Sequence, residues 1–475
     1  MVSIKEILLS HNYNVDYIDE TSSHIEEYLE WYQNDVEKFH HYKVFNGIQV
    51  QSEEMFRLGM AKKICEDWAT LLLNEKVSIK AGGFDKRLNE ILNRNNFSVR
   101  GNQLIEIAFA LGTGAFVEYK DCKQNTVIDY LRANMIYPLS WDNGDVTECA
   151  FGSYRRIKGK NCIYLQIHRL GCEEYGENSD FYYIDNLYVD EESGKEIEPP
   201  ENISKKVETK SEFPLFQIIT PNIFNNICLD SPLGISVFAN GIDQLKGCDK
   251  IYDSYINEFV LGKKRILVPL SQAKAQMQKD GITAPTFDPN DTVFFSMPSD
   301  NSDLKPTEID MKIRAQEHEL GIQRMLDLLS LKCGMGTGRY KFDSTGVKTA
   351  TEVISDKSDL YQNLKKNEKV ICTAIVNLVK AVAFLDGVKT VDVTVDFDDS
   401  IIEDSNTTID RNIKLVQASL RSKKSAIMEI NKCSEDEAEK ELERIAKEEQ
   451  ITGQNIDWTK EDKEDVEDDE NEPAE

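Results

Sequence analysis

The stretch from Ser231 to Gly387 constrains this chain more than any other. It reads as helix, short β-rich insert, helix, glycine-punctuated loop and one very long helix, with no tidy globular unit to hold them. Apolar residues recur at helical spacing through Phe238, Ile242, Leu245, Tyr252, Ile256 and Phe259, and again through Ile322, Met325, Leu329 and the run from Leu360 to Leu385. The spacing predicts a first helix from about Ile235 to Leu261, roughly 40 Å long at 1.5 Å per residue, and a second from about Arg314 to Lys332. Thr349 and Glu352 then stand at capping-box spacing. The helix they start can run to Asp386, where Gly387 stops it, a length of about 55 Å. Helices this long with one apolar stripe are unstable alone and need partners.

Forty per cent apolar residues suffice for real cores, and 475 residues suggest two to four modules. The formal net charge of -28 argues against a broad basic face gripping nucleic-acid phosphates. The ten cysteines are scattered, with no CxxC pair and no histidines at zinc spacing, so they read as buried thiols of a reducing compartment. MVSIKEILLS lacks signal-peptide organisation, and no apolar run reaches the roughly 18 residues of a membrane span.

Residues 1–112 read as helical, through Glu26 to Gln33, Met55 to Asn74, Phe84 to Arg94 and Asn102 to Leu111. From Ala115 to about Thr220 the period changes to two, in short segments rich in β-branched and aromatic residues separated by polar, glycine-containing turns. That is an antiparallel sheet region. His168 and its aromatic neighbours invite a carbohydrate site, but cross-strand packing explains them more simply. RILVPL and DTVFFSMP read as strands on either side of an amphipathic SQAKAQMQKD segment. After the strand-like VDVTVDFD, an amphipathic helix is expected from Thr408 to about Lys447, and beyond Trp458 the residues are nearly all charged, an acidic disordered tail.

No motif carries chemistry. GMGTGRYK at Gly334 to Lys341 has glycines and basic residues but not the order of a phosphate loop, and HExxH, GxSxG and the DxDxDG calcium loop are all absent. His40, His41 and His318 read as packed or surface residues. The acidic run Asp396 to Asp404 can in principle bind a divalent cation, though turn carboxylates at a strand end explain it more simply. No cofactor is implied. The residues alone give an acidic α+β protein without catalytic signature, a structural or assembly protein, with a metal-dependent nucleic-acid hydrolase as the enzymatic alternative.

Four segments, Met60 to Val77, Ser231 to Pro269, Leu328 to Gly338 and Thr345 to Lys369, resemble the portal proteins of tailed bacteriophages, of the siphophage and prophage type from low-GC Gram-positive hosts. The resemblance implies a non-enzymatic virion protein, assembled in the host cytoplasm as a dodecameric ring at one capsid vertex. Double-stranded DNA is packaged and ejected through the ring. Its implied partners are the terminase large subunit, head-completion or adaptor proteins, and the major capsid and scaffolding proteins, with no membrane. The implied portal fold has a wing (1–232), a stem helix (233–262), a clip (263–313), a second stem helix (314–332), a tunnel loop (333–348), a long wing helix with a strand (349–399), a crown (400–458) and the tail (459–475).

On this mapping Phe238, Ile242, Leu245, Tyr252, Ile256, Phe259, Ile322, Met325 and Leu329 pack the stem. Ile266, Val268, Val293, Phe294 and Phe295 build the clip. Gly334, Gly336, Gly338, Arg339, Lys341, Gly346 and Lys348 belong to the DNA-facing loop. Another head-tail adaptor or capsid protein is the alternative from the same structural class.

Overall fold

A computed structural model describes residues 2–13, 15, 17–45, 49–74, 76–157, 159–262, 265–269, 276–277, 283–284, 294–297, 307–309, 312–341, 350–397, 405–431 and 435–452. The chain forms two compact units, Met1–Phe397 and Asp398–Glu475.

The first helix, α1 (Ile4–Ser10), begins in a reciprocal cap: Ser3 Oγ accepts from the Glu6 amide (3.2 Å) and Glu6 Oε2 accepts from the Ser3 amide (2.9 Å). α2 (Ile18–Tyr32) and the single turn α3 (Glu37–His40) follow. Next comes a hairpin of β1 (His41–Phe45) and β2 (Val50–Glu54). The all-helical reading of residues 1–112 is therefore corrected here, and at the short β3 (Ser78–Lys80). YKVF and VQSEE are too short to show a period, and the hairpin leaves Phe45 and Val50 largely exposed. α4 (Met60–Leu72), α5 (Asp85–Arg94) and α6 (Phe97–Leu111) overlap the expected helices, α4 starting after Met55 and α6 before Asn102, and bury Ile64, Trp68, Leu88, Ile91, Leu104 and Ile105.

The period-two region folds as expected. β4 (Gly114–Lys120) and β5 (Thr126–Arg132) form a hairpin, which β12 (Phe216–Ile219) joins to make a three-stranded antiparallel sheet. β6 (Ile136–Asp142), β7 (Asp145–Ile157), β8 (Lys160–Leu170) and β9 (Tyr182–Asp190) make an antiparallel meander, with β10 (Glu196–Ile197) and β11 (Lys206–Glu208) paired to β9. Alternation divides the meander's faces. Ile163, Leu165 and Ile167 pack under Ile4, Ile7 and Leu8 of α1. Cys149 and Phe151 face the other way, toward Phe216 of the smaller sheet.

His168 sits on that second face, edge-on to Phe151 and Phe216 at 5.4 and 5.5 Å between ring centroids. It is 1% exposed, and burial depresses its pKa to about 3, so it is a neutral core residue. The packing explanation holds.

On β4, Glu118 is fully buried and neither carboxylate oxygen has a hydrogen-bond partner. Burial raises its pKa well above the ordinary carboxylate value. In the unfolded chain Glu118 ionises near its ordinary pKa, whereas in the fold it keeps its proton to higher pH. Stability therefore falls as pH rises through that window, by up to about 1.4 kcal/mol per pH unit. Glu118→Met removes this dependence. Its thermal melts should match the parent near pH 5 and exceed it at pH 8, and identical pH profiles would refute the buried-carboxyl account.

The chain then departs from expectation. The first central helix does not begin near Ile235. Residues 234–236 have no regular structure and 237–238 form a turn, with Leu233, Ile235, Val237 and Phe238 all buried. The Val237 amide donates to Phe109 O (3.0 Å) and the Gly234 amide to Thr113 Oγ1 (3.1 Å). Here the backbone crosses Gly112 so closely that a Cβ on Gly112 would stand 2.5 Å from Gly234 O. Gly112 also holds a φ of +86°, open only to glycine at low cost. Tertiary contact overrides the helical spacing, and α7 starts late, at Ile242–Leu261.

β13 (Arg265–Pro269) pairs in parallel with β16 (Phe294–Met297) and antiparallel with β17 (Thr307–Ile309). Within SQAKAQMQKD, β14 (Gln276–Met277) pairs with β15 (Thr283–Ala284). Ile266 and Val268 stand opposite Phe294 and Ser296, and Leu267 opposite Phe295, whereas Val293 lies outside the described residues.

α8 (Ala315–Lys332) and α9 (Ala350–Leu385) match their sequence limits closely. Thr349, the expected cap, lies outside the described residues. α9 ends in a Schellman motif: Val388 N donates to Ala383 O (2.9 Å) and Gly387 N to Phe384 O (3.0 Å), with Gly387 at φ +89°. It buries Leu364, Ile371, Ile375, Leu378 and Val382 and packs on α4, α5, β4 and β12. Asp386 pairs with Arg87 of α5 (2.9 Å), which holds its carboxyl below the usual range. β18 (Thr394–Asp396) closes the unit by pairing with β3.

In the second unit, the single helix expected from Thr408 to Lys447 is three: α10 (Ser405–Gln417), α11 (Lys423–Asn431) and α12 (Glu435–Thr452). The first break is a Schellman turn built on a non-glycine residue, Ser419 at φ +58°, with Leu420 N donating to Leu415 O (2.9 Å). Ser422 Oγ then caps α11 through the Ser425 amide (3.1 Å). The acidic tail lies outside the described residues.

Candidate functional site

The two central helices pack antiparallel. Ser254 meets His318 (3.1 Å), and further along Arg314 Nε donates to Glu258 Oε1 (2.9 Å). At the other end Gly247 lies under Met325 and Gly241 under Leu329, so small residues at and just before α7 admit large ones from α8. His318 is thereby accounted for, its Nδ1 also bonding to Arg314 O (2.7 Å) and its ring lying against Tyr255.

The expected stem residues divide in three. Leu245, Ile322 and Leu329 are buried, and Ile242, Met325, Tyr252 and Ile256 are half-buried or better. Phe238 is not on α7: it lies edge-on to Tyr28 of α2 (6.1 Å between ring centroids), because the helix starts after it. Phe259 is exposed. It joins Val260 on α7 and Leu320, Leu328 and Leu331 on α8, all between 47% and 60% exposed. Leu320, Leu328 and Leu331 stand at i, i+8 and i+11, one face of α8, away from the packed Ile322, Leu326 and Leu329.

A latch that sequence reasoning missed ties α7 to the N-terminal residues His40, Phe56 and Leu58. Asp249, 3% exposed, accepts from the Leu58 amide (2.7 Å), and its second oxygen lies 3.2 Å from His40 Nε2. The Val36 amide donates to His40 Nδ1 (2.9 Å), which fixes the neutral tautomer whose Nε2–H points at Asp249. One turn on, Asp253 accepts from the Phe56 amide (3.0 Å). Two carboxylates at i, i+4 on an amphipathic helix are a sequence signal, but their partners lie some 200 positions away.

The chain leaving α8 is held at several points. Gly334, Gly336 and Gly338 have φ of +77°, +73° and +78°, which bend the backbone without strain. Trp68 Nε1 donates to Cys333 O (3.1 Å), Asn363 Nδ2 to Gly334 O (3.1 Å), Gln323 Nε2 to Tyr340 O (3.0 Å), and the Tyr340 hydroxyl to Asp67 (2.9 Å). Arg339 Nε stands 3.7 Å from that same Asp67. Lys341 is exposed, with its stem lying over Gly338. Gly346 and Lys348 lie outside the described residues, as does the part of the Asp396 to Asp404 cluster beyond Phe397.

Among the described residues five cysteines are buried as expected, Cys172, Cys228 and Cys372 are half-buried and Cys122 is exposed. Among the described residues one group has donor atoms close enough to share a metal: Glu20, His24 and Cys228. No helix among them is long and apolar enough to cross a membrane.

No curated protein matches this sequence. Among solved structures, the neck of a native GTA particle, computed with C12 symmetry, is similar with a TM-score of 0.39 and 11% identity, over 78% of this chain and 89% of that one. Residues 14–454 match the family described as phage portal protein, SPP1 Gp6-like. A match over nearly the whole length settles the family: this chain belongs to the SPP1 Gp6-like phage portal proteins.

Proposed function

We propose that this chain is the subunit of a closed ring, a dodecamer, that forms the DNA channel of a phage head at one capsid vertex. The observation that carries it is the second apolar face of the stem. α7 and α8 already satisfy each other through Leu245, Ile322, Leu326 and Leu329, yet Leu320, Leu328, Leu331, Phe259 and Val260 remain exposed. An apolar face left over on a two-helix stem is covered when a neighbouring copy packs against it, and repetition of one such heterologous contact closes a ring.

Around that stem, residues 1–232 with 349–399 serve as wing, β13, β16 and β17 as the heart of the clip, and 400–458 as crown. The clip docks terminase during packaging and head-completion proteins afterwards, while capsid and scaffolding proteins surround the wing. The net charge of -28 keeps DNA from adhering to the tube. Lys341, with Lys348 beyond it, offers brief phosphate contacts, and Arg339, held by Asp67, contributes less. The role is structural, without catalysis.

Leu328→Glu combined with Leu331→Glu tests the stem. Both side chains are about half exposed in the protomer, so folding should survive. Each leucine removed from an interface forfeits up to about 2 kcal/mol of burial. The parent should give closed rings by negative-stain microscopy and native mass spectrometry, and the variant monomers with an unchanged circular-dichroism spectrum. Intact rings in the variant would exclude this face as the subunit contact.

A further inference from the structure

We propose that Glu20, His24 and Cys228 form a zinc site that clasps helix α2 to the segment leading into the stem. One donor atom from each residue lies within 4.8 Å of the other two, a spread that small side-chain rotations close to coordination distance. Glu20 and His24 are four apart on α2 and so share a face. Cys228 comes from far along the chain, and its backbone is fixed by a turn: its amide donates to Asn225 Oδ1 (2.9 Å) and its carbonyl accepts from the Ser231 amide (3.2 Å). The His24 ring stacks on Tyr28 (6.4 Å between centroids), which limits its orientation.

The donor set selects the metal. A thiolate and an imidazole beside one carboxylate suit Zn2+ and are poor ligands for Mg2+ or Ca2+. Thiolate and carboxylate together carry two negative charges, which the ion neutralises. Zn2+ takes Cys228 as the thiolate, and one H+ is released to solvent. An open cleft lined by Tyr17, Thr21, Trp141, Leu229 and Asp230 adjoins Glu20 and Cys228 and admits water as the fourth ligand. The consequence is a cross-link between α2 and the segment that precedes α7, independent of whether the ring reading holds.

The test uses the full-length protein with Zn2+ and, as a spectroscopic probe, Co2+. The parent should retain one Zn2+ per protomer after dialysis, melt at higher temperature with Zn2+ than with chelator, and show thiolate-to-metal charge-transfer absorption with Co2+. Cys228→Ser and His24→Ala should each weaken binding by more than the roughly 10–100-fold that loss of a merely supporting residue costs, whereas Cys122→Ser, at an exposed thiol elsewhere, should change nothing. Glu20→Gln, at an exposed position, covers the case in which the two half-buried substitutions disturb folding. Charge-transfer absorption that survives Cys228→Ser, a Zn2+-induced melting shift equal in parent and Glu20→Gln, or no retained Zn2+ would each overturn the proposal.

Discussion

Gly112→Ala should lower the unfolding free energy by about 3–5 kcal/mol. Two costs coincide. An alanine at φ +86° is strained by roughly 1–2 kcal/mol in the left-handed region, and its Cβ would stand 2.5 Å from Gly234 O. Neither segment can yield easily, because the Val237 amide and Ser236 hydroxyl both donate to Phe109 O and the Gly234 amide to Thr113 Oγ1. Gly144→Ala separates the two costs: Gly144 has a φ of +91°, and a methyl group there would meet nothing within 4 Å, so it incurs strain without collision. Denaturant or thermal unfolding of both variants decides the matter. Equal losses would mean that the backbone crossing is slack and contributes nothing.

Asp249→Ala is the second large effect, with an expected cost of about 2–4 kcal/mol. The substitution strands the Leu58 amide and the His40 imidazole N–H in a dry interior, both of which now point at a carboxylate. Asp249→Asn is the informative companion. An asparagine can accept from Leu58, but its NH2 then meets the His40 N–H, and the imidazole cannot reverse its tautomer without losing the Val36 amide. Asparagine should therefore recover only part of the loss. Full recovery would mean that the Leu58 contact alone carries the latch. Because the latch joins α7 to the backbone at Phe56 and Leu58, hydrogen exchange should show the 54–58 backbone opening earlier in both variants, before global unfolding.

How much of the fold is legible in the residues depends on how local each determinant is. The limits of α8 and α9 follow from apolar spacing and Gly387, since a glycine in left-handed conformation is a local signal. Spacing misplaces the start of α7 because Ile235, Val237 and Phe238 fit a helical stripe as well as an irregular segment, and the choice is made by Phe109 and Gly112, over a hundred residues away. The C-terminal helices read as one because Ser419 adopts the turn conformation that glycine would have announced. Among candidate site residues, the glycines and stem leucines are visible by type and period. The partners of His40, and the meeting of Glu20 and His24 with Cys228, are products of tertiary structure with no trace in local spacing.

The anchoring of the chain after α8 has a mechanical consequence. Trp68 and Asp67 belong to α4, Asn363 to α9 and Gln323 to α8 itself, so the segment Cys333–Lys341 is riveted to three helices at once. A load applied to residues 342–349 cannot be absorbed by a pivot at the glycines. It divides instead among α4, α8 and α9, and through the 36-residue α9 it reaches the sheet formed by β4, β5 and β12. The glycines set the path of the chain, while the side chains around them set its stiffness, so the compliance of this junction is shared by α4, α8 and α9 rather than confined to a loop.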